Sequence, residues 1–332
     1  YYANHAQLGV RVTPRLWLRR GADEPNHERG GHPHRIPRPD GTVLYAETHG
    51  PADGPPVVLT HGWGADGTEW YYLTKALAGR HRVIVWDLPG SGLSTPPANR
   101  DFSLEKMAGD LDAVLELAGG RPAVVVGHSI GGMTALTYAR LFPDALGPRV
   151  AGFVLVHTTP TNPARTYPPT WLTPALQKPV LEPLCWLTVA LSPVARVLSV
   201  LSYLNGSAHW SNHFSSFAGT ETRGQLDFTA WYAVKASPAV LARGVLGMFR
   251  YDATATLPTI PVPVLAVAAD RDRTTVPEAS RWIADGVPGG ELETLAPARH
   301  LGLIERHPEF AAVTARFCAA VAEQSAVGGR TG

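Results

Sequence analysis

The side chains best suited to nucleophilic acyl chemistry are Ser129, an aspartate at 270 or 272, and His300, in that chain order. Ser129 lies in Gly127-His128-Ser129-Ile130-Gly131, a G-x-S-x-G run entered by Val124-Val125-Val126 and left by a small-residue helical pattern, Met133 to Phe142. A serine at the tip of a sharp strand-to-helix turn is held in strained backbone geometry. Its neighbours two residues either side must be nearly free of side chain so that strand and helix can approach. The helix N-terminus beyond the turn supplies N–H groups and positive dipole where an oxyanion forms. A bare G-x-S-x-G arises by chance in many chains, so its surroundings decide its weight.

Three other stretches converge with it. His61-Gly62-Trp63-Gly64 directly follows the apolar run Pro56 to Thr60. A loop at that strand end can aim the Trp63 amide at the same point as the Ile130 amide, a two-donor oxyanion hole; alone it reads equally well as a Gly-rich turn. Asp270-Arg271-Asp272 ends the apolar run Pro263 to Ala268. Either aspartate can orient an imidazole and stabilise its charged form, while the other is a turn or capping carboxylate. His300 follows the short run Glu291 to Leu295 and precedes the closing helical stretch. A lone histidine is more often structural; the order serine, acid, histidine reverses that expectation. Asp87-Leu88-Pro89-Gly90-Ser91-Gly92 offers a Gly-x-Gly, but neither G-x-G-x-x-G nor a G-K-[ST] ending, which excludes nucleotide binding there.

The elements that must position these residues alternate. Thr42 to Thr48 pairs with His34-Arg35-Ile36 across a Pro39-Asp40-Gly41 turn, and Arg82 to Trp86, Pro122 to Gly127 and Gly152 to His157 are further strands. Helical spacing marks Trp70 to Leu77, Ser103 to Leu117 and Pro308 to Glu323. Continuous apolar strands separated by helices predict an α/β protein with a doubly wound, mostly parallel sheet of eight strands. Residues 158–260 break the alternation with helical spacing, many prolines and aromatics such as Trp171, Trp186, Phe228 and Tyr232. They are expected to fold as a helical cap over the sheet, most of the aromatics forming its own core and a minority lining a pocket. The predicted organisation is an irregular or partly helical N-terminal arm over 1–32, a core of 33–157 and 261–324, the cap over 158–260 and a tail over 325–332.

Composition narrows the function. The chain has 332 residues, 45% hydrophobic, with a formal charge of +1, which gives no electrostatic case for nucleic acid or an anionic surface. Lysines are few (Lys75, Lys106, Lys178, Lys235) beside many arginines, a bias attributed to coding composition rather than to a binding surface. Cys185 and Cys318 are too few for a disulfide framework. His27, His32 and His34 cluster without a completing Cys or carboxylate pattern and read as surface histidines, not metal ligands. No run of eighteen or more uncharged apolar residues appears. The chain begins at Tyr1 without a methionine, which leaves open an upstream signal or anchor and membrane association through it; otherwise a cytoplasmic protein is expected.

Taken together, His61 to Gly64, Asp87 to Gly92, Gly127 to Gly132, Asp270-Arg271-Asp272 and His300 resemble the α/β-hydrolase fold family, in its capped branch of esterases, lipases and cofactor-free haloperoxidase-like enzymes. The resemblance covers roughly residues 33–320. It implies Ser129 as nucleophile, Asp272 as acid, His300 as base, and Trp63 and Ile130 as oxyanion donors. The family's acid usually follows Gly-x-x and precedes a proline; here Ala269 replaces the glycine and Pro277 falls one residue late, which keeps Asp270 as the fallback. Members with epoxide or haloalkane chemistry carry an aspartate nucleophile, and Ser129 argues against both. The implied activity is hydrolysis of carboxylic esters through an acyl-enzyme, with no metal or organic cofactor; the apolar cap favours a small-molecule hydrophobic ester as substrate. Amide, lactone or carbon–carbon hydrolysis, peroxyacid formation, and a non-catalytic ligand-binding role are the alternatives. Oligomeric state is not legible.

Overall fold

In each central strand, alternate side chains enter opposite halves of the core, which is why these runs are apolar throughout. Val58, Ile84 and Val125 pack with Met107, Leu111, Ile130 and Leu136 on one face. Val57, Leu59, Val85 and Val126 pack with Trp70, Leu73, Phe310 and Phe317 on the other. The computed structural model describes residues 18–328. Residues 1–17 of the expected arm and 329–332 of the expected tail lie outside the described residues.

The sheet has eight strands: β1 (His32–Pro37), β2 (Val43–His49), β3 (Pro56–Thr60), β4 (Arg82–Trp86), β5 (Ala123–His128), β6 (Val150–Val156), β7 (Val264–Ala269) and β8 (Glu291–Leu295). Their order is β1-β2-β4-β3-β5-β6-β7-β8. The β1–β2 and β2–β4 pairs are antiparallel and all others parallel. Parallel register brings the carboxyl ends of β3, β5, β6 and β7 to one edge, with Thr60 opposite Gly127, His128 opposite Val156, and Val156 opposite Val267. Helices α1 (Tyr71–Leu77), α2 (Leu104–Leu115) and α3 (Ile130–Leu141) cover the first half of the sheet. Ser103 starts α2 by accepting the Lys106 amide on its side chain, satisfying one of the donors that a helix start leaves unpaired.

The insertion leaves after β6 and returns at β7. It contains α4 (Thr173–Leu176), α5 (Glu182–Ala190), α6 (Ser192–Leu204), α7 (Ser207–Ser216), α8 (Arg223–Lys235) and α9 (Pro238–Met248). Pro193 stands in the first turn of α6, where a missing N–H costs nothing, and the chain bends by 92° between Ala190 and Ser192. Pro183 follows a π-helical turn, Gln177–Leu181, that joins α4 to α5 without such a bend. Phe217, Phe228, Tyr203 and Tyr232 are buried as a cap core requires, whereas Trp171, Trp186 and Phe214 are exposed.

Several elements differ from the sequence reading. The helix after Ser129 starts at Ile130 rather than Met133, because the turn closes within one residue. Gly67–Trp70 is a 3-10 turn ahead of α1, capped by the Asp66 carboxylate accepting from Thr68 N–H. Helix α10 (Pro277–Gly286), left unassigned from sequence, has a thin apolar stripe of Ala279, Ile283 and Ala284. The chain closes with α11 (Gly302–Glu305) and α12 (His307–Gly328), which runs past the boundary expected at Glu323. The described part of the arm is irregular but not loose. Its Arg19 carbonyl accepts from the Arg223 amide, the Asp23 carbonyl accepts from Tyr72 Oη, and Glu24 accepts from Thr222 Oγ1, so it straps the cap to the core. His27, expected at the surface, stacks on Phe228 at 4.2 Å, and burial lowers its pKa to about 4.

Candidate active site

The turn at Ser129 is as tight as the glycine spacing requires. Ser129 has φ +52 and ψ −116, a region that non-glycine residues rarely occupy. A Cβ on Gly127 would lie 2.4 Å from the Gly131 carbonyl oxygen, and one on Gly131 would lie 2.2 Å from the Thr60 carbonyl oxygen. Strand β5, helix α3 and the end of β3 therefore meet backbone to backbone. Gly131→Ala is expected to lower stability by roughly 1–3 kcal/mol or more, read as a lower Tm. An unchanged Tm would mean that the end of β3 yields without cost.

Main-chain bonds fix the turn: the Ser129 amide donates to the Val156 carbonyl at 2.9 Å, and the Ser129 carbonyl accepts from Thr158 Oγ1 at 2.6 Å. The Ile130 amide is among the first N–H groups of α3, where no intrahelical acceptor exists. Opposite it, after β3, comes the loop carrying Trp63. His61 ties this loop to the one after β4. Its Nε2 accepts from the Leu88 amide at 2.9 Å, so Nδ1 carries the proton and donates to the Gly62 carbonyl at 2.8 Å. The Trp63 indole Nε1 donates to the Leu241 carbonyl of α9 at 2.9 Å. Gly244 of α9 lies under the same ring, and a Cβ there would sit 2.0 Å from it.

Of the two competing aspartates, only Asp272 reaches the histidine. His300 Nδ1 donates to Asp272 Oδ2 at 2.8 Å. Asp272 Oδ1 accepts the Thr274 and Thr275 amides at 2.7 and 3.1 Å, and Oδ2 also lies 2.9 Å from Thr275 Oγ1. Burial favours the neutral acid, but the His300 charge and these donors outweigh it and hold the carboxyl well below the usual carboxylate range. Burial likewise pushes the His300 imidazole down. The Asp272 charge and hydrogen bond overcome that and leave it above the usual histidine value. Asp270 is exposed and does another job: its Oδ1 accepts the Ala298 amide at 2.8 Å, latching the loop that carries His300 to the end of β7.

Two residues were not singled out by sequence. Glu69 and His128 form a pair with both side chains only 2% exposed, Glu69 Oε1 lying 3.1 Å from His128 Nδ1. Glu69 Oε2 accepts the Gly62 amide at 2.8 Å, and His128 Nε2 donates to the His300 carbonyl at 3.1 Å. Burial favours the neutral acid of Glu69, yet the His128 contact and the Gly62 donor hold its pKa below the ordinary value. His128 thus sits between the Glu69 carboxylate and the His300 carbonyl. This buried pair links the Trp63 loop, the residue before Ser129 and the backbone of His300. The signal was present in the sequence as a histidine adjacent to the serine, but its partner at 69 is visible only in three dimensions. His157, at the end of β6, donates from Nδ1 to the same His300 carbonyl at 3.0 Å, and burial pushes its pKa down to about 3.

Ser129, His128, His300 and Trp63 line one cleft of about 230 Å³ between the sheet edge and the insertion. Cap helices α7, α8 and α9 supply Asn212, Thr229, Tyr232 and Leu241 to its walls. With Nδ1 of His300 held by Asp272, Nε2 is the nitrogen left to exchange a proton with a hydroxyl in the cleft. The Gly-rich loop after β4, by contrast, is wrapped around its own carboxylate: Asp87 accepts the Gly67 and Leu93 amides at 2.7 and 2.8 Å and pairs with Arg29 at 3.0 Å.

Residues 55–181 match the alpha/beta hydrolase fold family. The chain is 30% identical over 278 residues to the pimeloyl-[acyl-carrier protein] methyl ester esterase of Chromobacterium violaceum, covering 80% of this chain and 94% of that protein. It is 46% identical over 103 residues to the magnesium-chelatase 30 kDa subunit of Rhodobacter capsulatus, covering 31% of this chain and only 35% of that protein. Among solved structures, a thermophilic esterase from Thermogutta terrifontis superposes with a TM-score of 0.68 at 23% identity, covering 87% of this chain and 98% of that one. The eight-stranded order, the inserted helices and a relative matched over nearly its whole length make this chain a member of the α/β-hydrolase fold family.

Proposed function

We propose that the protein is a serine hydrolase of carboxylic esters, with Ser129 as nucleophile, His300 as general base and acid, and Asp272 as the group that orients His300. The observation that carries this reading is the 2.8 Å contact from His300 Nδ1 to buried Asp272, beside a serine held at positive φ in the same cleft. In this mechanism Ser129 Oγ attacks the ester carbonyl as His300 Nε2 takes its proton. The oxyanion forms against the Trp63 and Ile130 amides. His300 then gives its proton to the departing alcohol, and water, activated by the same nitrogen, releases the acid from the acyl-enzyme. The full-length esterase relative, whose name specifies a methyl ester, supports the ester over the amide or lactone reading.

The cleft walls combine Trp63, Ala233, Ala236 and Leu241 with Asn212 and Thr229. That lining favours a hydrophobic acyl group of modest size, its polar end met by a few hydroxyl and amide groups. A p-nitrophenyl ester series from acetyl to palmitoyl tests the reading, with Ser129→Ala as the blank. The rate is expected to peak at medium chain length. A steady fall from acetyl onward would overturn the hydrophobic preference, and turnover equal to the blank on every ester would overturn the esterase assignment.

The same assay carries a pH prediction. The base works only when neutral, and its pKa lies above the usual histidine value, so kcat/KM is expected to rise with pH through an apparent pKa above about 6.5. An acid limb centred below that value would contradict Asp272 control of His300.

A further inference from the structure

Helices α5 and α6 turn an apolar face outward. In a surface helix the apolar stripe faces the protein and the polar residues face solvent. Here Leu184 and Leu187 of α5 and Val194, Val197, Leu198 and Leu201 of α6 point outward, each between 50% and 60% exposed. The inward side of α6 mixes Arg196, Ser199 and Ser202 with Ala195, Val200 and the buried Tyr203. Arg196 Nη1 donates to the Ala236 carbonyl at 3.0 Å, while Ser199 Oγ and Ser202 Oγ return to main-chain carbonyls of α6 itself. On α5 the less exposed side holds Glu182, which accepts from Gln177 Nε2 at 2.9 Å. Several polar groups of these helices are thus satisfied within the protein, while leucine and valine side chains are left facing outward. That arrangement is stable where the outside is itself apolar.

The charges beside this face select the occupant. Between Glu182 and Glu221 the only formally charged side chain is Arg196. Lys178 is exposed at one border, and Arg243 lies over the Trp186 ring at 5.5 Å at another. Among the described residues no carboxylate pairs with Lys178, Arg196 or Arg243. A leucine- and valine-rich face bordered by Lys178, Arg243 and Trp186 matches an acyl-chain boundary beneath anionic headgroups. Protein interfaces are instead anchored mainly by tryptophan, tyrosine and arginine within a polar rim. No single described helix is long and apolar enough to cross a membrane; α5 and α6 reach that length only as a pair bent by 92°, and their half-buried inner sides, with Tyr203 buried, keep them on the protein as a surface layer. We propose that the α5–α6 face docks the cap onto an anionic lipid bilayer, its leucines and valines entering the headgroup–acyl boundary.

The test is co-sedimentation of the whole chain with phosphatidylcholine vesicles that contain or lack phosphatidylglycerol, with light scattering of the free protein alongside. It needs no turnover, so its outcome is separate from that of the esterase assignment. Wild type is expected to bind the anionic vesicles, and Leu187→Glu/Leu198→Glu to bind at least about tenfold more weakly with unchanged Tm. Lys178→Glu is expected to weaken binding to anionic vesicles while leaving the weaker binding to neutral ones as it was. Wild type remaining in the supernatant with both vesicle types would overturn the proposal. So would a wild-type dimer that Leu187→Glu/Leu198→Glu dissociates without any vesicle binding, since a second copy would then be the occupant.

Discussion

Ser129→Ala is expected to lower kcat by about 10⁴-fold or more on every ester that the wild type cleaves, with Tm unchanged. The two halves of this expectation have separate causes. On the proposed mechanism the hydroxyl is the atom that attacks, and no neighbouring group substitutes for it. The bonds that hold the turn, from the Ser129 amide to Val156 and from Thr158 to the Ser129 carbonyl, are main-chain bonds that alanine keeps. His300→Ala should match it in lost rate but not in stability. It removes the imidazole that donates to Asp272 Oδ2 and leaves that buried carboxylate one donor short, a loss of roughly 1–3 kcal/mol. Stopped turnover with retained Tm for Ser129→Ala, against both losses for His300→Ala, is the pattern to seek in parallel kinetic and thermal measurements. Residual turnover of Ser129→Ala within tenfold of wild type would sink the nucleophile assignment.

Asp272→Asn is expected to cost about 10⁴-fold in kcat, while Asp270→Asn stays within a few-fold of wild type. An amide at 272 can present its NH₂ to His300 Nδ1 and so favour the tautomer with its proton on Nε2, the wrong nitrogen for a base. The charge that lifts the His300 pKa also disappears. The residual activity of Asp272→Asn should therefore show its acid limb at lower pH than wild type. Asp270 only latches a loop through the Ala298 amide, a bond to which asparagine also contributes an acceptor oxygen. The reverse ranking of the two variants would move the acid to position 270.

Why one part of this site was legible in the sequence and another was not follows from how each is encoded. The G-x-S-x-G spacing records a purely local steric demand, so Gly127 and Gly131 announce the turn before any fold is known. Strand cores such as Pro56 to Thr60 and Arg82 to Trp86 are continuous apolar runs whose ends coincide with β3 and β4. The choice between Asp270 and Asp272 was open because the two are neighbours in sequence. Loop geometry beyond β7 turns one inward and the other to solvent, and no local pattern encodes that. Glu69 and His128 were missed for the opposite reason: they lie 59 positions apart and meet only where the 3-10 turn after β3 packs on the end of β5.

The clasp between Trp63 and α9 has a mechanical corollary. The indole bond to Leu241 and the ring's seat on Gly244 join the roof over the cleft to the very loop proposed to hold the oxyanion. A roof swinging on α9 would drag that loop out of register and dismantle the donor pair with each cycle of opening. The α9 wall therefore has to stay still while the Trp63 loop is in place, a fixed jaw rather than a moving lid.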